Sequence, residues 1–176
     1  MRKTATSSAT ASASALALAL LLAAGIHDNG RAEGQAMSDV GVQLAVDSSD
    51  GHVRVDVRLE NRGKLPAYVP RALASARQLD GRLFDVRDAR TGQPVPYQGR
   101  MVKRGPLTAD DFLTLAPGAT HRHSIDITPA YAFAPGKHEY RLAYEGVAGG
   151  DVQALVAGSG AAPLVAPAVS FTYTAR

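Results

Sequence analysis

His121 and His123 are separated by two positions, so on a strand their imidazoles project from one face and could share a transition metal. Ile125 and Ile127 have the same parity, and a core rim with both rings half solvated and bonded locally accounts for the pattern equally well. Two histidines also lack the third protein ligand that catalytic zinc uses. No metal and no other cofactor are expected, and His121 and His123 are the only metal candidates.

Other reactive groups give less. Gly158-Ser159-Gly160 lacks the G-x-S-x-G spacing of a hydrolase elbow and follows no convincing buried strand. Asp110 and Asp111 are adjacent, and on an extended chain neighbouring carboxylates point apart, so a turn or an ion pair with Arg104 is the expected use. No glycine-rich loop joins a strand to a helix, which removes nucleotide phosphate binding. The chain has no cysteine, so disulfides, thiolate zinc sites and thiol nucleophiles are all absent.

What remains is a recognition surface. Between Pro94 and Gly118, Val95 and Tyr97 lead through Gly99 into the cations Arg100, Lys103 and Arg104, followed by the acids Asp110 and Asp111. Phe112, Leu113 and Leu115 then run into a Pro117-Gly118 turn. A charge run of this kind is usually a solvated strand end. It can also present an extended backbone and two cations to a partner's groove.

The same run carries a resemblance. Tyr97-x-Gly99-Arg100, Lys103-Arg104 ahead of Pro106, Asp110-Asp111-Phe112 and Leu115-x-Pro117-Gly118, with Ser124 to Gly146 downstream, are similar to the amino-terminal domain of deuterolysin-like zinc metallopeptidases. These include the peptidyl-Lys metalloendopeptidases, and the resemblance covers roughly 40–145. It implies a β-sandwich that precedes the protease as a propeptide. The protease itself needs a His-Glu-x-x-His helix, in which two imidazoles hold zinc and the glutamate acts as base. Here His138-Glu139 is the only His-Glu pair, Leu142 stands where the second ligand belongs, and the pair lies in an alternating strand. No catalytic residue carries over. The resemblance implies a separately encoded peptidase as partner, with Tyr97, Gly99, Arg100, Lys103, Arg104, Asp110 and Asp111 as the contact segment.

The elements that must position these residues read as strands. Val40, Val42, Leu44 and Val46 share one parity, and Asp50-Gly51 signals a hairpin turn. Val53, Val55, Val57 and Leu59 then alternate with Arg54, Asp56, Arg58 and Glu60. A short Pro-bounded segment from Leu65 to Val69, a strand at Leu83 to Val86, and a strand from Gly136 with Tyr140, Leu142 and Tyr144 on one face follow. The last strand is expected from Ala168 to Thr174, with Val169, Phe171 and Tyr173 inward, after a Gly/Ala-rich mobile loop over 146–163. Seven or eight short strands separated by turn residues predict an all-β, immunoglobulin-like antiparallel β-sandwich over 40–176.

Arg2 and Lys3 ahead of an apolar core from Ala15 to Ala24 read as an export signal over 1–25, cut after Gly25 or after Ala36. Residues 26–39 then form a flexible linker. The formal charge of +3 falls to +1 once Arg2 and Lys3 are removed, too little to capture nucleic acid. The apolar core is too short for stable membrane insertion.

The expected function is that of an exported, periplasmic or secreted, non-enzymatic binding domain that inhibits or helps fold a deuterolysin-like metallopeptidase. The alternatives are an envelope structural or adhesion module with an exposed sheet edge, and a periplasmic metal carrier using His121 and His123.

Overall fold

The computed structural model describes residues 39–176. The export segment and all of the linker except Asp39 lie outside the described residues. Over the described part the fold is all-β, antiparallel and sandwich-like, as the alternating pattern predicts.

The first sheet has the order β1-β2-β6, formed by Val40–Asp47, Arg54–Asn61 and Thr120–Asp126. β2 forms because every second residue is aliphatic. Val55, Val57 and Leu59 are buried, while Arg54, Asp56, Arg58 and Glu60 take the outer face. Fully burying one such side chain contributes about 1.5–3 kcal/mol. The β1–β2 register runs from Val40 opposite Asn61 to Asp47 opposite Arg54. The hairpin closes through Asp50 and Gly51 at φ 54° and 76°, with the His52 amide bonded to the Ser49 carbonyl at 3.0 Å. Positive φ at both central residues is the turn geometry whose twist matches the flanking strands.

The second sheet has the order β4-β7-β8, formed by Asp85–Asp88, Gly136–Ala148 and Ala162–Ala175. β7 and β8 pair from Gly136–Ala175 to Ala148–Ala162, with a bulge between Leu142 and Tyr144. Beside it, β3 (Ala67–Pro70) pairs with β5 (Phe112–Leu115), and Tyr68 bridges to Gly149 just beyond β7. The Pro-bounded segment expected over 65–69 therefore runs into a strand that lies between β5 and the end of β7. One core joins the inner faces. Val42, Val57, Leu59 and Ile125 come from the first sheet, and Val86, Tyr140, Leu142 and Phe171 from the second. Phe133 meets Tyr140 and Tyr173 edge to face, with ring centroids 5.0 and 5.2 Å apart.

The expected loop over 146–163 is a correction. Gly146 to Ala148 continue β7, α2 (Val152–Val156) follows an Asp151 cap, and β8 begins at Ala162. Small residues hide the pattern. Ala148, Leu155 and Ala162 are buried, and Gly146 leaves room for the Tyr144 hydroxyl that a methyl group there would strike.

Asn61 is the buried polar residue of the described chain. Its Nδ2 donates to the carbonyls of Leu65, Leu115 and Ala116 at 2.8, 3.0 and 3.2 Å, and its Oδ1 accepts from the Gly63 amide at 3.0 Å. It thus ties the end of β2 to the turn after β5. Among the described residues no helix is long and apolar enough to cross a membrane.

Candidate functional site

The run from Arg100 to Asp110 is exposed at every position. It leaves the sandwich after Tyr97, which bridges to Tyr131, and returns at β5. Met101 is 76% exposed, Leu107 48% and Val102 44%, so apolar side chains face water beside three cations.

Side-chain bonds hold both ends of this segment. The Tyr97 hydroxyl donates to the Arg100 carbonyl at 2.8 Å and lies 3.2 Å from the Leu79 carbonyl, while its ring packs edge-on against Tyr131. Burial pushes the Tyr97 phenol above its ordinary pKa, so it stays a donor at neutral pH. Gly99 is required by this contact, since a Cβ there would stand 2.7 Å from the Tyr97 hydroxyl and 3.1 Å from Ala130 Cβ. Arg100 reaches Asp80 at 3.6 Å, and the Val102 amide donates to the Asp80 carbonyl at 3.1 Å.

At the far end, Ala109–Asp111 form one 3₁₀ turn closed by a capping box. The Thr108 amide and hydroxyl both donate to Asp111 Oδ2, at 2.8 and 3.1 Å. The amide bond is the largest influence holding the Asp111 carboxyl below its usual range. Arg104 pairs with Asp111 at 3.7 Å, which is the pairing expected from the sequence. Arg71 adds a further tether by donating from Nε to the Asp110 carbonyl at 2.8 Å and from Nη2 to the Phe112 carbonyl at 3.0 Å. Pro70 lies opposite Phe112 and has no amide hydrogen, so the guanidinium extends a ladder that proline cannot.

The seven expected contact residues therefore divide by role. Tyr97, Gly99 and Asp111 shape the segment, whereas Arg100, Lys103, Arg104 and Asp110 display charge on it. Among the described residues the Lys103 side chain has no ion-pair or hydrogen-bond partner.

His121 and His123 share a face, as their spacing predicts. Their Nε2 atoms bond the carbonyls of Ala74 and Ala76 at 2.7 and 2.8 Å. Ala74 ends the four-residue helix α1, Arg71–Ala74, where carbonyls lack intrahelical partners, and Ala76 lies just beyond it; the two rings satisfy one carbonyl each. A carbonyl can only accept, so each Nε2 carries the proton and is closed to a metal. Among the described residues no group of three or more His, Cys, Asp or Glu could hold a metal ion. His138 bonds the Pro135 carbonyl through Nε2 at 3.0 Å, within β7.

A second polar arrangement escapes sequence reasoning. His52 Nδ1 lies 2.8 Å from Asp126 Oδ2, across 74 residues. Burial pushes the Asp126 carboxyl up, but hydrogen bonds from Thr128 and His52 outweigh it and hold the group below its usual range. An ionised carboxylate only accepts, so Nδ1 is the donor. Nothing near His52 in sequence signals the pair, because the β2–β6 register creates it.

No protein-family model matches the chain, and no curated protein matches it.

Proposed function

We propose that the protein is an exported, non-catalytic binding domain whose 97–111 segment docks into the cleft of a deuterolysin-like metallopeptidase, as inhibitor or folding partner. The observation that carries this reading is a fully exposed run, Arg100 to Asp110, anchored at one end by the Tyr97 hydroxyl and at the other by the Thr108–Asp111 capping box. A segment already held in shape loses less conformational freedom on association, which favours affinity. Lys103, unpartnered, is the side chain freest to enter a pocket, and Met101 and Leu107 supply apolar contact beside it. The resemblance to the propeptide-like domain of those peptidases supplies the partner class, and the amino-terminal pattern supplies export.

The test is inhibition of a purified deuterolysin-like peptidase by the chain from Ile26 onward. Replacing Lys103 and Arg104 together by Ala should weaken inhibition about tenfold or more, the loss expected for central charged contacts. Unchanged inhibition by the double variant removes the segment from the interface, and no inhibition by the parent chain removes the partner class.

A structural or adhesion module is the second reading. Val147 and Val165 are 42% and 54% exposed at the far end of the β7–β8 ladder, where an apolar surface could meet another chain. Sedimentation separates the two readings, since self-association abolished by Val165→Lys with no peptidase binding would favour the module.

A further inference from the structure

The outer face of β1-β2-β6 holds a shallow hollow of about 710 Å³, lined among others by Gln43, Asp56, Arg58, Arg122 and Ser124. The register sets Gln43, Arg58 and Arg122 in one row across the three strands. Arg58 and Arg122 are direct cross-strand neighbours, and like charges so placed repel. The row at the other end of the sheet avoids this conflict, with Arg54 between Asp47 and Asp126. No acid serves the arginine pair in that way. Arg58 reaches Gln43 only at 3.4 Å and Glu60 only at 3.8 Å, and its Nε is shielded from water with no acceptor. Among the described residues the Arg122 side chain has no ion-pair or hydrogen-bond partner.

We propose that this hollow is a seat for a small oxyanion, a phosphate or carboxylate group, held between the Arg58 and Arg122 guanidinia. An oxyanion there would accept from the exposed Nη groups of Arg58 and Arg122 and turn the repulsion between the two cations into charge-assisted hydrogen bonds. Asp56 and Ser124 form the adjacent pair in the same hollow, so the seat is polarised. The anionic group takes the arginine end, and a hydroxyl or ammonium group on the same ligand meets Asp56. This seat lies on a different surface from the 97–111 segment and does not depend on it.

The test is a titration followed through the arginine Nε–H resonances, with sodium chloride of equal ionic strength as control. Inorganic phosphate should shift Arg58 and Arg122 saturably, and Arg122→Gln should weaken that response about tenfold, the worth of one good charge-assisted contact. Phosphoethanolamine should bind more tightly than phosphate, with Asp56→Asn removing the difference. Acetate acting at the same two resonances would identify a general oxyanion seat, and its silence a phosphate seat. Shifts no larger than those in chloride, or unchanged in Arg122→Gln, overturn the proposal. The melting temperature of Arg122→Gln should equal or exceed that of the parent, and Arg122→Lys serves in its place if the variant fails to fold.

Discussion

The Tyr97 hydroxyl donates to the Arg100 carbonyl at 2.8 Å, so the point where the exposed segment departs is fixed by a ring that packs against Tyr131. Tyr97→Phe keeps the ring and deletes the bond. It should cost about 1 kcal/mol in urea unfolding, the usual net worth of one hydrogen bond. Its larger effect is local: trypsin should cut after Lys103 or Arg104 faster than in the parent. Equal cutting rates would mean that the hydroxyl does not restrain the segment.

Asn61 joins the turn that follows β2 to the turn that follows β5 through its side chain. Asn61→Ala removes the donor shared by Leu65, Leu115 and Ala116 and the acceptor of the Gly63 amide, at a site 1% exposed. A loss of about 2–3 kcal/mol is expected, since buried carbonyls are left without partners. Asn61→Asp should be at least as damaging, because it turns a carboxylate towards three carbonyl oxygens. Denaturant midpoints measure both.

Lys103→Ala should leave the unfolding midpoint unchanged, because the exposed side chain has no partner among the described residues to lose. Arg104→Ala removes a 3.7 Å pair with Asp111 that is open to solvent, and the change should stay below about 0.5 kcal/mol. Both substitutions therefore test recognition without disturbing the scaffold. A thermal melt of each variant checks this before any binding assay is interpreted.

Five carboxyls of the described residues titrate below their ordinary value of 3.8, among them Asp47, on which the Ser49 amide is the largest influence. A hydrogen bond from Arg87 is the largest influence on Asp85, the Thr91 amide on Asp88 and the Thr108 amide on Asp111. For Asp126 burial acts in the opposite direction and is outweighed by Thr128 and His52. A depressed folded-state pKa contributes stability that is complete above the unfolded value and is lost as pH falls through the folded one. The urea midpoint should therefore fall as pH drops below about 4. Asp111→Asn should show a shallower fall than the parent, and an identical slope would assign the acid sensitivity to the other four carboxyls.

Much of the scaffold was legible in the residues. β2 could be read because Val53, Val55, Val57 and Leu59 alternate with charges, and its turn because Asp-Gly accepts positive φ twice. The outer halves of β7 and β8 were not legible, since Gly146, Ala148 and Ala162 give a small-residue strand the composition of a loop. In the candidate site, the charges of Arg100, Lys103 and Arg104 announced exposure. The role of Tyr97 was hidden because its hydroxyl also approaches Leu79, 18 residues away. His121 and His123 showed their shared face by parity, but their acceptors lie 47 residues off at the end of α1 and just beyond it, where no spacing rule points.

The Val53 amide bonds the Thr128 hydroxyl at 2.7 Å across 75 residues, one of the contacts that join β2 to the end of β6. Closing so long a loop costs chain entropy before any contact rewards it, so the β2–β6 pairing must form later than the local β1–β2 hairpin. Refolding after a stopped-flow jump should accordingly take milliseconds to seconds, the pace of all-β domains built on distant pairings. During that interval the apolar side of β2 stands open, and a holdase that grips such strands would find it ready to be caught.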